Sequence, residues 1–295
     1  MSIKIGSSDI GRVYLGGNEI SKIYLGVEEV YNAASYLLDT YTNSSLAYSL
    51  RKLSSSTTSV VRVRRDSDNV EQDFTAIEVT DGTLTSFVGT GSGFVSIIYD
   101  QSGNNNNGVQ TTALSQPKIV DIGSLILDNG KPSMLFSGAQ SFDFTPFAID
   151  KSDGFYSFHV NTYLGTNNHR IISMGSSNDD FRLGGVMVAT RQYGLNGQNI
   201  ITLETVLNGS GINELNVYKS NSTSNTIKRD GVQLGTNVNS STVVFTPTLA
   251  KIGGAVTPLP ANADGRIKEI IIFNSNQSTN ESGIELDINT YYTIY

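Results

Sequence analysis

The chain has 295 residues, of which 38% are hydrophobic, including 14 Tyr and 12 Phe, so it can bury one large core or two small ones. A net charge of −7 argues against a general hold on phosphate backbones, and the absence of cysteine excludes disulfides, thiol catalysis and thiolate metal sites. Only 16% of residues are charged while Gly reaches 29, a composition suited to strands and polar turns rather than helices.

In chain order, the first element is a ten-residue repeat. Ile3–Arg12, Val13–Lys22 and Ile23–Asn32 align without gaps, each reading as a short strand, a turn opened by Gly6, Gly16 or Gly26, and the start of the next strand. Residues 1–33 are therefore expected to form a small β-meander or coil of strands. So few short strands bury too little apolar area to stand alone. Ile3, Ile5, Val13, Leu15, Ile23 and Leu25 would present one apolar face, either to the chain's own sandwich or to another chain. The second alternative makes the repeat an anchor on a larger assembly and predicts a homo-oligomer, with a trimer favoured. The start lacks the basic and apolar regions of a secretory signal, and no apolar run approaches the roughly 18 residues that span a bilayer. Neither membrane insertion nor nucleic-acid binding is expected.

From residue 34 to 295, strand and turn signals recur steadily. Val60–Val63, Phe94–Tyr99, Ser133–Phe136, Ser157–Val160, Arg170–Met174, Gly185–Ala189, Asn199–Leu203, Glu214–Tyr218, Val243–Phe245 and Glu269–Phe273 read as strands separated by Asn, Gly and Ser turns. The fold class expected is all-β, an antiparallel jelly-roll sandwich. Ile284, Ile288 and Tyr291/Tyr292 fall at helical spacing and predict a closing helix. The basic run Arg62–Arg65, alternating with Val63 and followed by Asp66 and Asp68, reads as a solvated face balanced by carboxylates.

Two stretches carry a resemblance. One runs through Ala47–Leu53, Val61–Asn69 and Glu71–Phe74. The other is Phe94–Tyr99, then Asp100-Gln101-Ser102-Gly103-Asn104, leading to Gln116-Pro117 and Asp128–Pro132. Together they resemble the catalytic domain of fungal α-L-arabinofuranosidase B, which implies a concanavalin A-like sandwich, and equally a group of phage tail and head-fibre proteins. Further on, Asn225–Val232, Ile252–Gly254 and Gly265–Ile270 look more loosely like laminin-G strands. The phage resemblance implies a virion protein made in the bacterial cytoplasm, whose partners are capsid or fibre proteins and a host surface glycan.

The arabinofuranosidase resemblance implies a Glu nucleophile after a Gly-x-x-Met-like turn, an Asp acid directly after a Gly-Gly pair, and a pair of adjacent cysteines at the substrate. Here Gly184–Ala189 holds no carboxylate, Ala255 follows Gly253-Gly254, and Arg170-Ile171 stands at the cysteine pair. A retaining glycosidase needs both carboxyl groups, so the expectation is a chain that is not an enzyme, with no catalytic residue, metal or cofactor. A glycan-cleaving enzyme with a relocated active site and a carbohydrate-binding module are the alternatives. Asp179 and Asp180 read as solvated, Glu204 and Glu214 as solvent-facing strand residues, and Asp264 and Asp100 as turn residues. His159 in a strand and His169 in a turn make no metal pattern, although Asp- and Asn-rich loops are of the kind that hold Ca²⁺. With no Trp present, Tyr163, Tyr193 and Tyr218 are the candidate glycan contacts.

Overall fold

The computed structural model describes residues 4–5, 8–9, 14–15, 18–19, 22–25, 28–32, 36–165, 170–175, 181–187, 190–195, 201–205, 211–238, 244–256 and 262–295. Among the described residues, the repeats form three two-stranded antiparallel ribbons. Lys4–Ile5 pairs with Ser8–Asp9, Tyr14–Leu15 with Asn18–Glu19, and Lys22–Leu25 with Glu28–Asn32. Only two residues, the first of them Gly6, Gly16 or Gly26, separate the strands of each ribbon, so each strand pairs with its neighbour in sequence. Ile5, Leu15, Ile23 and Leu25 lie on these strands, while Ile3 and Val13 lie outside the described residues.

The main body is an antiparallel sandwich. In chain order its principal elements are β1 (Leu46–Ser49), β2 (Val61–Arg65), β3 (Glu71–Phe74), α1 (Ala76–Thr80), α2 (Thr83–Val88), β4 (Gly93–Ile98), β5 (Gly108–Val109), β6 (Lys118–Asp121), β7 (Met134–Ser137) and β8 (Phe142–Asp143). They continue with β9 (Phe155–Tyr163), β10 (Ile172–Gly175), β11 (Phe181–Met187), β12 (Thr190–Leu195), β13 (Ile201–Thr205), β14 (Asn213–Ser220), β15 (Ser224–Arg229), β16 (Val232–Val238), β17 (Leu249–Ile252), β18 (Asp264–Phe273) and α3 (Glu281–Tyr292).

The first sheet runs β16-β15-β14-β9-β18, and β1 and β7 share the far edge of β18. The second runs β3-β2-β4-β5-β8-β17-β10-β11-β12-β13. β6 pairs with both β4 and β7 and so joins the two sheets at a corner.

Period-two alternation gives the first sheet two buried faces. Phe155, Tyr218, Ile227, Ile270 and Ile272 point at the second sheet, where they meet Val63, Val95, Phe142, Ile172 and Ile252. Tyr156, Phe158, Val160, Leu215, Val217, Ile271 and Phe273 point the other way and are covered by α3 through Ile284, Ile288 and Tyr292. The i, i+4, i+8 spacing puts those three on one helix face. Sequence reading missed α1 and α2, which are too short to show a period. The signal was present nonetheless: Thr75 and Glu78 form a reciprocal capping box at the start of α1.

The basic run behaves in two ways. Arg62 pairs with Asp73 and Arg65 with Asp68, both at 2.7 Å and partly exposed, as expected. Arg64 instead is buried, with Nε on Gln116 at 2.8 Å and its guanidinium over the Phe94 ring.

Candidate functional site

The Asp100–Gly103 motif, which carries the clearest resemblance, is a closed turn. Asp100 Oδ1 accepts from Ala47 N–H at 2.9 Å and Ser102 N–H at 3.0 Å. Its Oδ2 accepts from Ser102 Oγ at 2.7 Å and Asn106 N–H at 3.0 Å. Gln101 accepts from Leu53 N–H and donates to the Ser49 and Arg51 carbonyls. Tyr48 Oη donates to the Asn106 carbonyl, and burial raises its pKa well above the usual phenol value. These side chains tie β1 to the turn after β4, so no acid is left there for chemistry.

The positions that the arabinofuranosidase resemblance points to converge in space. Gly253 N–H donates to the Ile171 carbonyl at 2.9 Å, and Ser173 Oγ donates to the Gly254 carbonyl at 2.7 Å. Gly253 has φ +72°, and an added Cβ would strike the Phe136 ring. What stands at this place is Ala255, Arg170 and Ser173, all buried. The neighbouring charge is the exposed Lys251–Asp143 pair at 2.6 Å. β11 crosses beside β10, with Ile172 opposite Leu183.

Several expectations need correcting. Tyr163 and Tyr218 are 2% and 0% exposed, because both point inward from the first sheet and pack in the core between the sheets. Neither can offer a ring to a sugar. Tyr193 lies on β12, and its side chain is outside the described residues. Glu214 is 4% exposed rather than solvent-facing, since it shares the inward parity of Tyr218. Asp264 is the first residue of β18, not a turn residue. Val188, Ala189, His169, Asp179 and Asp180 lie outside the described residues, as does the side chain of Glu204. Among the described residues, no three His, Asp or Glu gather where they could hold a metal ion.

The inward parity that buries Tyr163 and Tyr218 also buries a polar row. Ser157, His159 and Asn161 on β9, Glu214 and Asn216 on β14, and Asn225 on β15 are all nearly inaccessible. Asn216 Nδ2 donates to Asn161 Oδ1 at 3.3 Å, and Tyr218 Oη and Ser220 Oγ both donate to Asn225 Oδ1. Arg229 reaches Glu214 at 3.8 Å. Among the described residues Ser157 Oγ, Asn161 Nδ2 and Asn225 Nδ2 have no hydrogen-bond partner. A sandwich interior is ordinarily apolar there, because a buried polar group costs free energy unless bonded.

At the opposite end of β14 the first sheet opens into a polar cleft of about 450 Å³. Three chain-distant turns build it: 152–154 before β9, 221–223 between β14 and β15, and Asn276 after β18. Gly154 has φ +100°, and a Cβ there would sit 3.1 Å from Asn276 Cα, so glycine lets two of the turns meet. Asn221 Oδ1 accepts from Thr223 N–H and Ser224 N–H and thereby shapes the second turn. Ser152, Asp153, Ser222 and Thr223 are exposed at the mouth, and Tyr156 lies at the wall.

Lys219 connects this cleft to α3. Its Nζ lies 2.9 Å from Glu281 Oε2, while Lys228 Nζ lies 2.8 Å from Glu281 Oε1 and also meets Glu285. Burial works to raise Glu281, but hydrogen bonds from Lys228 and Lys219 outweigh it and hold the carboxyl below its usual value. Burial wins at Glu285 and pushes it up against the pull of Lys228, aided by the like charge of Glu281. Both carboxyls are engaged by lysines, Glu281 by Lys219 and Lys228 and Glu285 by Lys228. The cluster clamps helix to sheet.

No protein-family model and no curated protein matches the chain. Among solved structures it is similar to a GH54 α-L-arabinofuranosidase soaked with a cyclic sulfate inhibitor, at 13% identity and a TM-score of 0.62. It is also similar to a mutant of a GH54 α-L-arabinofuranosidase soaked with 4-nitrophenyl α-L-arabinofuranoside, at 12% and 0.64. A third is an arabinofuranosidase complexed with arabinofuranosyl-α-1,2-xylobiose, at 14% and 0.60. Each match covers 85% of this chain and 64% of the other, so the chain spans less than two thirds of their length. The chain shares their sandwich fold. This overturns the expectation that it is not an enzyme: these three proteins, similar to it over 85% of its length, are glycoside hydrolases. The missing family marks remove one arrangement of carboxylates, not hydrolysis as such.

Proposed function

We propose that the chain is a glycan-directed β-sandwich that holds a carbohydrate in the cleft between the 152–154 and 221–223 turns. The observation that carries this reading is the cleft's lining. Ser152, Ser222, Thr223, Asn221 and Asn276 supply hydroxyl and amide groups, which both donate and accept, as sugar hydroxyls do. The volume of about 450 Å³ suits a small ligand. Ser222→Trp, on an exposed turn, should fill the cleft and abolish binding of oligosaccharides detected by saturation-transfer NMR. Unchanged binding would place the sugar elsewhere.

Glycan cleavage at a relocated site is a second reading, favoured by the sandwich fold shared with the arabinofuranosidases. The full chain should then turn over at least one member of a panel of aryl glycosides, and a panel without turnover would remove this reading.

The virion setting belongs to the same proposal. Residues 1–33 would carry the sandwich on a particle as a trimer, since three two-stranded ribbons are too small to be stable without a partner surface. Light scattering of the full chain should give three copies, and Leu15, Ile23 and Leu25 changed together to Ser should give monomer. A monomeric wild type would defeat the trimer.

A further inference from the structure

We infer that Glu281, which does not line the cleft, sets its charge preference: by engaging Lys219 it makes the cleft select uncharged glycans over carboxylated ones. This rests on the glycan-cleft reading above.

Lys219 and Asp153 are the charged side chains of the lining. Lys219 is the group that would attract a sialic or uronic acid, but its Nζ is 2.9 Å from Glu281 Oε2. Glu281 cannot easily release it. Its second oxygen is held by Lys228 at 2.8 Å, and Lys228 also meets Glu285, so the carboxylate is positioned by α3 and β15 together. Asp153 sits exposed on its turn and has no cation partner among the described residues. A carboxylated sugar would thus have to displace Glu281 from Lys219 and lie near the Asp153 charge. The chain's net −7 adds long-range repulsion. A neutral sugar disturbs neither charge and meets the hydroxyls and amides alone.

The test uses matched probes on the full chain at low ionic strength: lactose with 3′-sialyllactose, cellobiose with cellobiuronic acid, and digalactose with digalacturonic acid. Calorimetric or NMR titration should show the neutral member of a bound pair favoured at least tenfold. Glu281→Gln, which releases Lys219, should cut that ratio about tenfold. Asp153→Lys should do the same from an exposed turn that does not touch α3, and it keeps the test decisive should Glu281→Gln loosen the helix. The inference is overturned, with the cleft reading intact, if wild type binds carboxylated members equally well or if neither substitution moves the ratio. If no probe of either class binds, the cleft reading falls and takes this inference with it.

Discussion

The turn at Asp100–Gly103 and the turns around the cleft are made from the same residues, Asp, Ser, Asn and Gly, yet they direct them differently. In the first, one carboxylate takes four hydrogen bonds from Ala47, Ser102 and Asn106, and the amide of Gln101 bridges three backbone groups. In the second, Asn221 organises its own turn while Ser222, Thr223 and Asp153 stay exposed beside a cavity. A motif recognisable in sequence marks the place where side chains are committed to the fold. A surface that is free to meet a ligand leaves little trace, because nothing within the chain constrains its residue order.

The largest effect that could break this contrast is Asp100→Ala. It leaves the partly buried N–H groups of Ala47 and Asn106 unbonded and should cost about 3 kcal/mol in urea unfolding. For a chain of 295 residues that corresponds to roughly 5 °C in Tm. Oligosaccharide binding by the folded fraction should be unchanged. Normal stability with lost binding would reverse the roles of the two regions.

Gly154→Ala comes next. The φ of +100° and the close Asn276 backbone predict a cost of about 2 kcal/mol together with weaker glycan binding, since the same residue holds two cleft turns together. Wild-type thermal stability and binding in this variant would show that the turns do not depend on each other.

The smallest effect separates the two helix carboxylates by pH. Glu281 has its folded pKa lowered, so the unfolded chain binds more protons and stability present above the ordinary carboxylate pKa is lost as pH falls through the folded value. Glu285 is raised, so its contribution is present below the ordinary value and is lost as pH rises through the folded one. Glu281→Gln should therefore destabilise by about 1 kcal/mol near pH 7 and less at pH 3, while Glu285→Gln should be neutral or stabilising near pH 7. Urea midpoints that fall equally for both variants at pH 7 would contradict the assignment.

Much of the architecture follows from the sequence alone. Period-two runs such as Ser157–Val160 and Glu214–Tyr218 locate strands because alternate side chains face opposite ways, and Asp230-Gly231 marks the hairpin between β15 and β16 because both residues adopt positive φ. Ile284, Ile288 and Tyr292 announce α3 by their spacing. Tertiary structure alone decided which faces are covered. Because α3 closes the outer side of the first sheet, both faces of β9 and β14 are buried, and alternation, which ordinarily separates core from solvent, here separates two cores. That is why Tyr163, Tyr218 and Glu214, read as exposed, lie inside. The cleft was illegible for a related reason: its walls come from residues 152–154, 221–223 and 276, which meet only through the antiparallel pairing of β18, β9, β14 and β15. Local sequence specifies each turn, but the coincidence of three turns at one end of a sheet is a property of strand length and register.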